Sequence, residues 1–567
     1  MATVTLPPAS AAPPRARVDT RRLLRHVGVT VFVGVLAYLV IAPLVRLQSR
    51  AFDGGYGRAF SGPRIGRTIS YTVGLALGSL AIALVLGTAL AWAATRLPRR
   101  LRFLRLFPVL PIVVPAIANV VGWAFLLSPR PGYLNAQLRR LPWWDHLQEG
   151  PVDIYTMPWI IVITGFGLTA FVYLFVSAGF ENISSEHIEA AQTSGSPPWK
   201  VFLKVTLPLL RPTLIYGGGV ALLLGLGQFT GPLLLGTNSG ISVLTTDMYR
   251  QVSQTPVEYG VAAALGSPLL VFGIAVVLVQ KLMLGNERRF VTHGGKAFRS
   301  EGRPSRLAAV GIVVYALVAT VLPITALVIV ALSNYWSGEI QTEFMSLNNF
   351  RTIFEGDAVP TAIGNSLRFS LVAVAICLPL GFVAASLLVR GRQFPVQRAI
   401  LDFVVSMPLG IPAVIFGVGF LLTYAEGPFV LYGTPWVVIL VYVTLMLPFA
   451  TRMQLSALLA LGDTYSEASR VSGAGVLRTN LRVILPLMRS SLGGAAALIF
   501  VLLTHEFSAS LLVRSSTTQV MGTVLFDYWG NGGYPLVAAV ALVMTVVTAI
   551  GVSIAMVLGG SESLTKL

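Results

Sequence analysis

Two stretches of this chain repeat one polar pattern inside an otherwise apolar sequence. The first, Glu189 to Pro208, reads EAAQTSGSPPWKVFLKVTLP; the second, Glu467 to Pro486, reads EASRVSGAGVLRTNLRVILP. Glu189-Ala190-Ala191 and Glu467-Ala468-Ser469 each precede a glycine at the same distance, Gly195 and Gly473. Each stretch then closes at the same spacing on Leu207-Pro208 or Leu485-Pro486. These residue types specify helix, turn, helix. Ser184 or Ser185 can cap the first helix, and Glu186 suits the positive end of its dipole. The alanines favour helix and leave a shallow surface. Gly195 supplies a left-handed stop. Ser196 then caps a second helix with Pro197 at its first position, where the missing N–H costs nothing. In the second copy Thr464 and Glu467 make a capping box and Gly473 is the turn. Pro208 and Pro486 end or kink the second helix of each copy before the next apolar run. A short, rigid helix with a small-residue surface is a grip for a partner. The alternative is an amphipathic loop resting on lipid headgroups through Trp199, Lys200 and Lys204; recurrence of the pattern in both halves weighs against it.

A second aligned pair lies deep in apolar sequence, where polar residues are functional candidates by default. Gln228-Phe229 in LLGLGQFTGPLLLG sits at the same offset from its polar stretch as Glu506-Phe507 in FVLLTHEFSASLLV. The expectation is that Gln228 and Glu506, with Phe229, Phe507 and His505, line a solute pathway. The carboxylate would favour a cationic solute or position its ligands; the alternative is a pair of hydrogen-bonded helix bridges. His505 has no second ligand nearby and reads as a packing residue, so no metal site is expected. Gly217, Gly218, Gly219, Gly225, Gly227, Gly493 and Gly494 let helices approach closely around a narrow path. There is no G-x-x-x-x-G-K-[ST] phosphate loop: Gly295-Lys296 lacks the upstream glycine and the following hydroxyl residue. There is no H-E-x-x-H and no Cys/His cluster, and the single cysteine, Cys377, sits in an apolar run. No catalytic residue and no cofactor held by this chain are expected.

The elements that must position these residues are membrane spans. Of 567 residues, 55% are hydrophobic and 11% charged, against roughly 25% charged in soluble domains. The net charge of +18 lies in clusters between apolar runs, which argues for a lipid bilayer and against nucleic acid. Apolar runs fall near 27–47, 69–95, 104–127, 158–179, 213–235 and 259–283, and again near 307–332, 363–389, 398–424, 435–454, 491–514 and 534–558. The first is read as a retained span, with residues 1–26 a basic cytoplasmic tail. Arg96, Arg99, Arg100, Arg102 and Arg105, then Arg390, Arg392 and Arg398, mark every second loop as cytoplasmic, and both polar stretches share that side. The sequence is therefore all-α and polytopic, with two six-helix repeats, 27–283 and 307–567, joined by a linker at 284–306. Pro111/Pro115 and Pro408/Pro412 should kink equivalent helices. An even span count gives both repeats one orientation, with their symmetry axis along the membrane normal.

The pattern E-A-A-x-x-x-G, nine residues, an aliphatic residue, any residue and Leu-Pro resembles the EAA loop of ABC-importer permeases. Glu189, Ala190, Ala191, Gly195, Val205, Leu207 and Pro208 match it in full. Glu467, Ala468, Gly473, Val483, Leu485 and Pro486 match it with Ser469 in place of the second alanine. The fused layout and the stretches FTGPLLLG and DMYRQ are most similar to the ferric-iron, thiamine and polyamine group of type I, MetI-like permeases. The resemblance implies a type I permease fold in a bacterial cytoplasmic membrane with a cytoplasmic N-terminus. It implies that both EAA loops couple to two copies of a cytoplasmic ATPase subunit, which bind the ATP, and that an extracytoplasmic binding protein delivers the solute. Ferric iron is the first expectation for that solute; thiamine, polyamine and phosphonate are alternatives. An ion-coupled secondary transporter, the rival class, would need carboxylates in its spans, and the sequence holds almost none. A channel or a membrane scaffold is the third reading.

Overall fold

The computed structural model describes residues 20–181, 183, 185–284, 304–426 and 428–559. Most of the basic tail, the linker from 285 to 303 and the cap expected at Ser184 lie outside them. Among the described residues every regular element is helical. Eight helices are long and apolar enough to cross a membrane alone: Leu24–Phe52, Ile65–Thr95, Met157–Phe180, Tyr259–Gln280, Arg306–Leu332, Ala358–Arg390, Pro435–Leu461 and Tyr534–Ile554. The other four expected spans are bent pairs. Arg99–Val113 turns by 91° into Ala116–Leu127, and Pro395–Gly410 by 112° into Ala413–Tyr424. Trp199–Leu209 turns by 72° into Arg211–Leu226, and Val476–Leu487 by 75° into Arg489–Thr504.

The proline steps act as the spacing predicts. Pro115 and Pro412 stand immediately before Ala116–Leu127 and Ala413–Tyr424, each at φ near −54° in extended conformation, so the helix restarts in a new direction. The third and ninth runs are consequently not straight spans. Only 12 residues of each continue after the break, about 18 Å of helix. The fifth and eleventh runs also stop early, at Leu226 and Thr504. Three wide turns, Phe202–Thr206, Leu317–Val321 and Asn480–Ile484, each run directly into a Leu-Pro pair. Proline brings no N–H to the ladder and crowds the carbonyl four residues back. A turn with i→i+5 bonds places the ring clear of that carbonyl.

The halves repeat in detail. Thr72 Oγ1 accepts from the Leu244 amide at 2.9 Å, and Ser366 Oγ accepts from the Met521 amide at 3.0 Å. Glycine makes the close crossings. A Cβ on Gly87 would meet Val172 at 2.8 Å, and one on the equivalent Gly381 would meet the Ala450 carbonyl carbon at 2.8 Å. Lipid tails are as apolar as leucine, so such close backbone approach, more than burial, holds spans together.

The repeats are separate in sequence but interleaved in space. The first span packs between the sixth span of its own half and Ala413–Tyr424 of the other. The seventh span lies symmetrically between the twelfth span and Ala116–Leu127. Gly122 and Gly419 sit at these crossings: an added Cβ would lie 2.6 Å from the Pro323 carbonyl oxygen in one and 2.9 Å from the Pro43 carbonyl oxygen in the other. The Ser305 amide also bonds the Arg96 carbonyl at 3.0 Å, tying the start of the second half to the end of the second span.

Candidate functional site

The first polar stretch folds into a helix, Ser185–Thr193, and the second into Thr464–Val471. Both end as the glycines require. Gly195 has φ +80° and Gly473 φ +84°. The Gly195 amide donates to the Gln192 carbonyl at 2.9 Å and the Ser196 amide to the Ala191 carbonyl at 3.2 Å. In the other copy Gly473 donates to Arg470 at 3.0 Å and Ala474 to Ser469 at 3.1 Å. These paired bonds satisfy the last carbonyls, and the left-handed residue between them is free of strain only as glycine.

The starts of these helices differ from expectation. Thr464 is the first helical residue rather than a cap. Asp463 precedes it without a side-chain cap, and the Glu467 amide bonds the Asp463 carbonyl at 3.0 Å, so the capping box does not form. The second helix of the first handle begins at Pro198, one residue later than expected, with the Pro197 carbonyl accepting from Lys200 and Val201. Its counterpart begins at Val476 after Gly475. Ser469 has a job of its own: its Oγ lies 3.0 Å from Thr479 Oγ1, which ties the two helices of the second handle. Arg390 reaches Asp463 at 3.5 Å, joining that handle to the eighth span.

Each handle presents uncovered surface. Glu189 and Ala191 are half-buried and Ala190 exposed, while Glu467 and Ala468 are exposed. Pro208 and Pro486 are exposed and Leu207 and Leu485 half-buried; the chain bends two residues beyond each proline, at Leu210 and Met488, into Arg211–Leu226 and Arg489–Thr504. Large apolar side chains stand bare around them: Val471 is 89% exposed and Leu477 71%, with Trp199 at 58% in the other copy.

The deep pair takes two different roles. Glu506 turns back onto the backbone. Its carboxylate accepts from the Ala509 amide at 2.8 Å, the Ser510 amide at 3.0 Å and Ser510 Oγ at 2.6 Å. Tyr442 Oη lies 2.9 Å from the same Ser510 Oγ. This is the arrangement of a capping carboxylate at the short helix Ser510–Val513. The bonds are local, three and four residues along the same chain, and do not bridge two helices. Gln228 is half-buried, and its carbonyl accepts from Thr245 Oγ1 at 2.5 Å. His505 is half-buried with Nδ1 enclosed and unpartnered among the described residues.

The two phenylalanines meet. Phe229 and Phe507 are 1% and 4% exposed, and their rings lie 5.8 Å apart across the halves. Two further rings close a cycle: Tyr249 is 5.7 Å from Phe229, Phe526 is 5.7 Å from Phe507, and Tyr249 and Phe526 are 6.2 Å apart. The four form two repeat-equivalent pairs, so the cycle straddles the pseudo-two-fold axis. Neither Tyr249 nor Phe526 is among the residues expected to line the pathway. The signal that could have found them is their nearly equal spacing from the two phenylalanines, 20 and 19 residues on. The outer charges pair locally: Arg514 holds Asp527 through bonds of 2.7 and 2.8 Å, and Arg250 lies 2.7 Å from Asp247. Trp143, by contrast, is 71% exposed. Arg452 reaches Asp402 at 2.8 Å.

Among the described residues the scaffold is eight single apolar helices and four bent pairs, with one helix-turn-helix stretch, Ser185–Thr193 or Thr464–Val471, in each half. The chain matches the model for "Binding-protein-dependent transport system inner membrane component" twice, over residues 101–285 and 377–560, and belongs to that family. It is a two-repeat ABC-importer permease and a multi-pass inner-membrane protein. Among its relatives is the ferric transport system permease protein FbpB of Actinobacillus pleuropneumoniae, 25% identical over 82% of this chain and 67% of that protein. The thiamine transport system permease protein ThiP of Brucella abortus is 26% identical over 74% of each chain. The putative 2-aminoethylphosphonate permease PhnV of Salmonella typhimurium is 27% identical over 43% of this chain and 92% of its own length. A bacterial alginate ABC transporter, solved with an alginate pentasaccharide-bound periplasmic protein, aligns with 48% of this chain and 98% of its own at TM-score 0.39 and 20% identity.

Proposed function

We propose that this chain is the translocation subunit of an ATP-driven importer, with its N-terminus in the cytoplasm. Two copies of a cytoplasmic ATPase subunit grip the helices around Glu189 and Glu467. They bind the ATP, and this chain holds no cofactor or catalytic residue. An extracytoplasmic binding protein delivers a small solute. ATPase closure pulls both handles together, and the bends at Leu210 and Met488, two residues beyond Pro208 and Pro486, pass that motion to the fifth and eleventh spans. Those spans lead directly to Phe229 and Phe507, so the ring cycle acts as the gate. Each ligand shifts the equilibrium by preferring one of the two states. Ferric iron is the favoured cargo on the two FbpB relatives, each 25% identical. Thiamine and 2-aminoethylphosphonate are the other solutes named among relatives.

The observation that supports this most is the duplication of one handle geometry, with the same left-handed glycine and bare apolar residues in both copies. The test is uptake in proteoliposomes containing the co-purified ATPase. Glu189→Lys or Gly195→Pro should abolish ATP-dependent uptake while the protein still inserts. Undiminished uptake in both, or uptake driven by an ion gradient without ATP, refutes the coupling role.

A further inference from the structure

A cavity of about 760 Å³ opens against one side of the ring cycle, with Tyr249 and Phe526 in its wall. Its size is that of a site for a small molecule. Four charged side chains line it: Arg64, Arg67, Arg250 and Asp247. Asp247 is 6% exposed; Arg250 at 2.7 Å balances its charge, and its other oxygen accepts from Thr68 Oγ1 at 2.9 Å. Arg64 and Arg67 are exposed, and among the described residues neither guanidinium has a hydrogen-bond or ion-pair partner. With one arginine cancelling the aspartate, the cavity carries the charge of two free guanidiniums.

This charge belongs to one half only. The register that aligns Thr72 with Ser366 puts Ala358 and Thr361 where Arg64 and Arg67 stand. In the second half Arg514 is consumed by its two bonds to Asp527, and Asn365 donates to the carbonyls of Thr517 and Gln519 at 3.1 and 2.9 Å. The positions aligned with Arg64 and Arg67 are thus uncharged in the second half, and its Arg514 is paired.

We propose that this cavity is the outer waiting site for the solute, and that it takes an anion: a phosphonate, a phosphate, a carboxylate or an anionic metal chelate. Guanidinium recognises such groups through paired N–H donors. A bare trivalent cation would be repelled, so an iron cargo would pass here as a negatively charged complex. The inference rests on the importer reading, which orients the cavity outward, and it reverses the cation preference expected from Glu506.

The test uses the full chain in neutral-lipid nanodiscs without a binding protein, so that solute binding is separated from docking. Inorganic phosphate and ferric citrate are titrated, with thiamine as the cationic control. Both anions should bind and thiamine should not. Arg64→Ala and Arg67→Ala should each weaken anion binding about tenfold, the factor matching one lost charge-assisted hydrogen bond. Arg64→Lys should restore part of the loss, and the unfolding midpoint should not move. Absence of anion binding in the unaltered chain overturns the proposal, as does unchanged binding in the double alanine variant. If that variant keeps anion binding but loses affinity for a loaded binding protein, the arginines serve docking and the proposal fails. Uptake that proceeds without ATP would instead remove the importer reading and leave the binding result standing.

Discussion

Glu506 offers the sharpest separation between a cargo-binding and a structural carboxylate. Its two oxygens accept three bonds, from the amides of Ala509 and Ser510 and from Ser510 Oγ. Glu506→Ala leaves two amides and a hydroxyl short of a partner in a half-buried site. Each unmet donor costs roughly 1–3 kcal/mol, and some find other acceptors, so the loss should total about 3 kcal/mol. Glu506→Gln keeps one acceptor oxygen and lets Ser510 Oγ turn to accept from the new amide. It should cost about 1 kcal/mol, one net hydrogen bond. The assay is thermal unfolding of the purified chain, run beside uptake in proteoliposomes. Capping predicts a graded fall in stability, Ala more than Gln, with uptake tracking the folded fraction. A Glu506→Ala protein with unchanged unfolding and abolished uptake would refute the capping argument and return the carboxylate to the solute.

Two further substitutions probe the scaffold and the gate. Gly122→Ala places a Cβ 2.6 Å from the Pro323 carbonyl oxygen, and overpacking of that kind costs roughly 1–3 kcal/mol. The variant should unfold earlier than Gly167→Ala, whose Cβ meets nothing within 4 Å; equal midpoints would contradict the interleaved packing. Phe229→Ala removes one ring of the cycle and should let a small polar dye leak through liposomes that contain this chain alone. Liposomes as tight as those with the unaltered protein would show that the rings are not the barrier.

Periodicity, charge placement and spacing are enough to read the helical class, the twelve apolar runs, the two repeats and both handles. These are local properties. A glycine at the end of a helix announces a left-handed stop whatever surrounds it, and Gly195 and Gly473 both adopt one. The paired prolines announce a break, and Pro115 and Pro412 both make one, whereas the isolated Pro43, Pro268, Pro379 and Pro448 stand inside continuous helices. The helix starts are less legible. The starts expected at Thr464 and Pro197 are each displaced by one residue, and Asp463 precedes its helix without a side-chain cap. Ser469 resembles a neutral replacement for alanine in sequence, since its partner, Thr479, is ten residues away across the turn.

Tertiary structure alone decided how the deep side chains lie. The sequence aligns Gln228 with Glu506 but does not say which way a carboxylate turns, and it turns onto its own chain. Equivalent spacing puts Phe229 beside Phe507 and Tyr249 beside Phe526 on a one-dimensional map. Only the crossing of the halves brings the four rings into a cycle. The same holds for the exchange of the first and seventh spans between halves, and for the cavity that brings Arg250 to Arg64 and Arg67, more than 180 residues earlier in the chain. Composition and period determine each helix because they act over a few turns. Which helices meet depends on long-range packing that many sequences with the same pattern could satisfy differently.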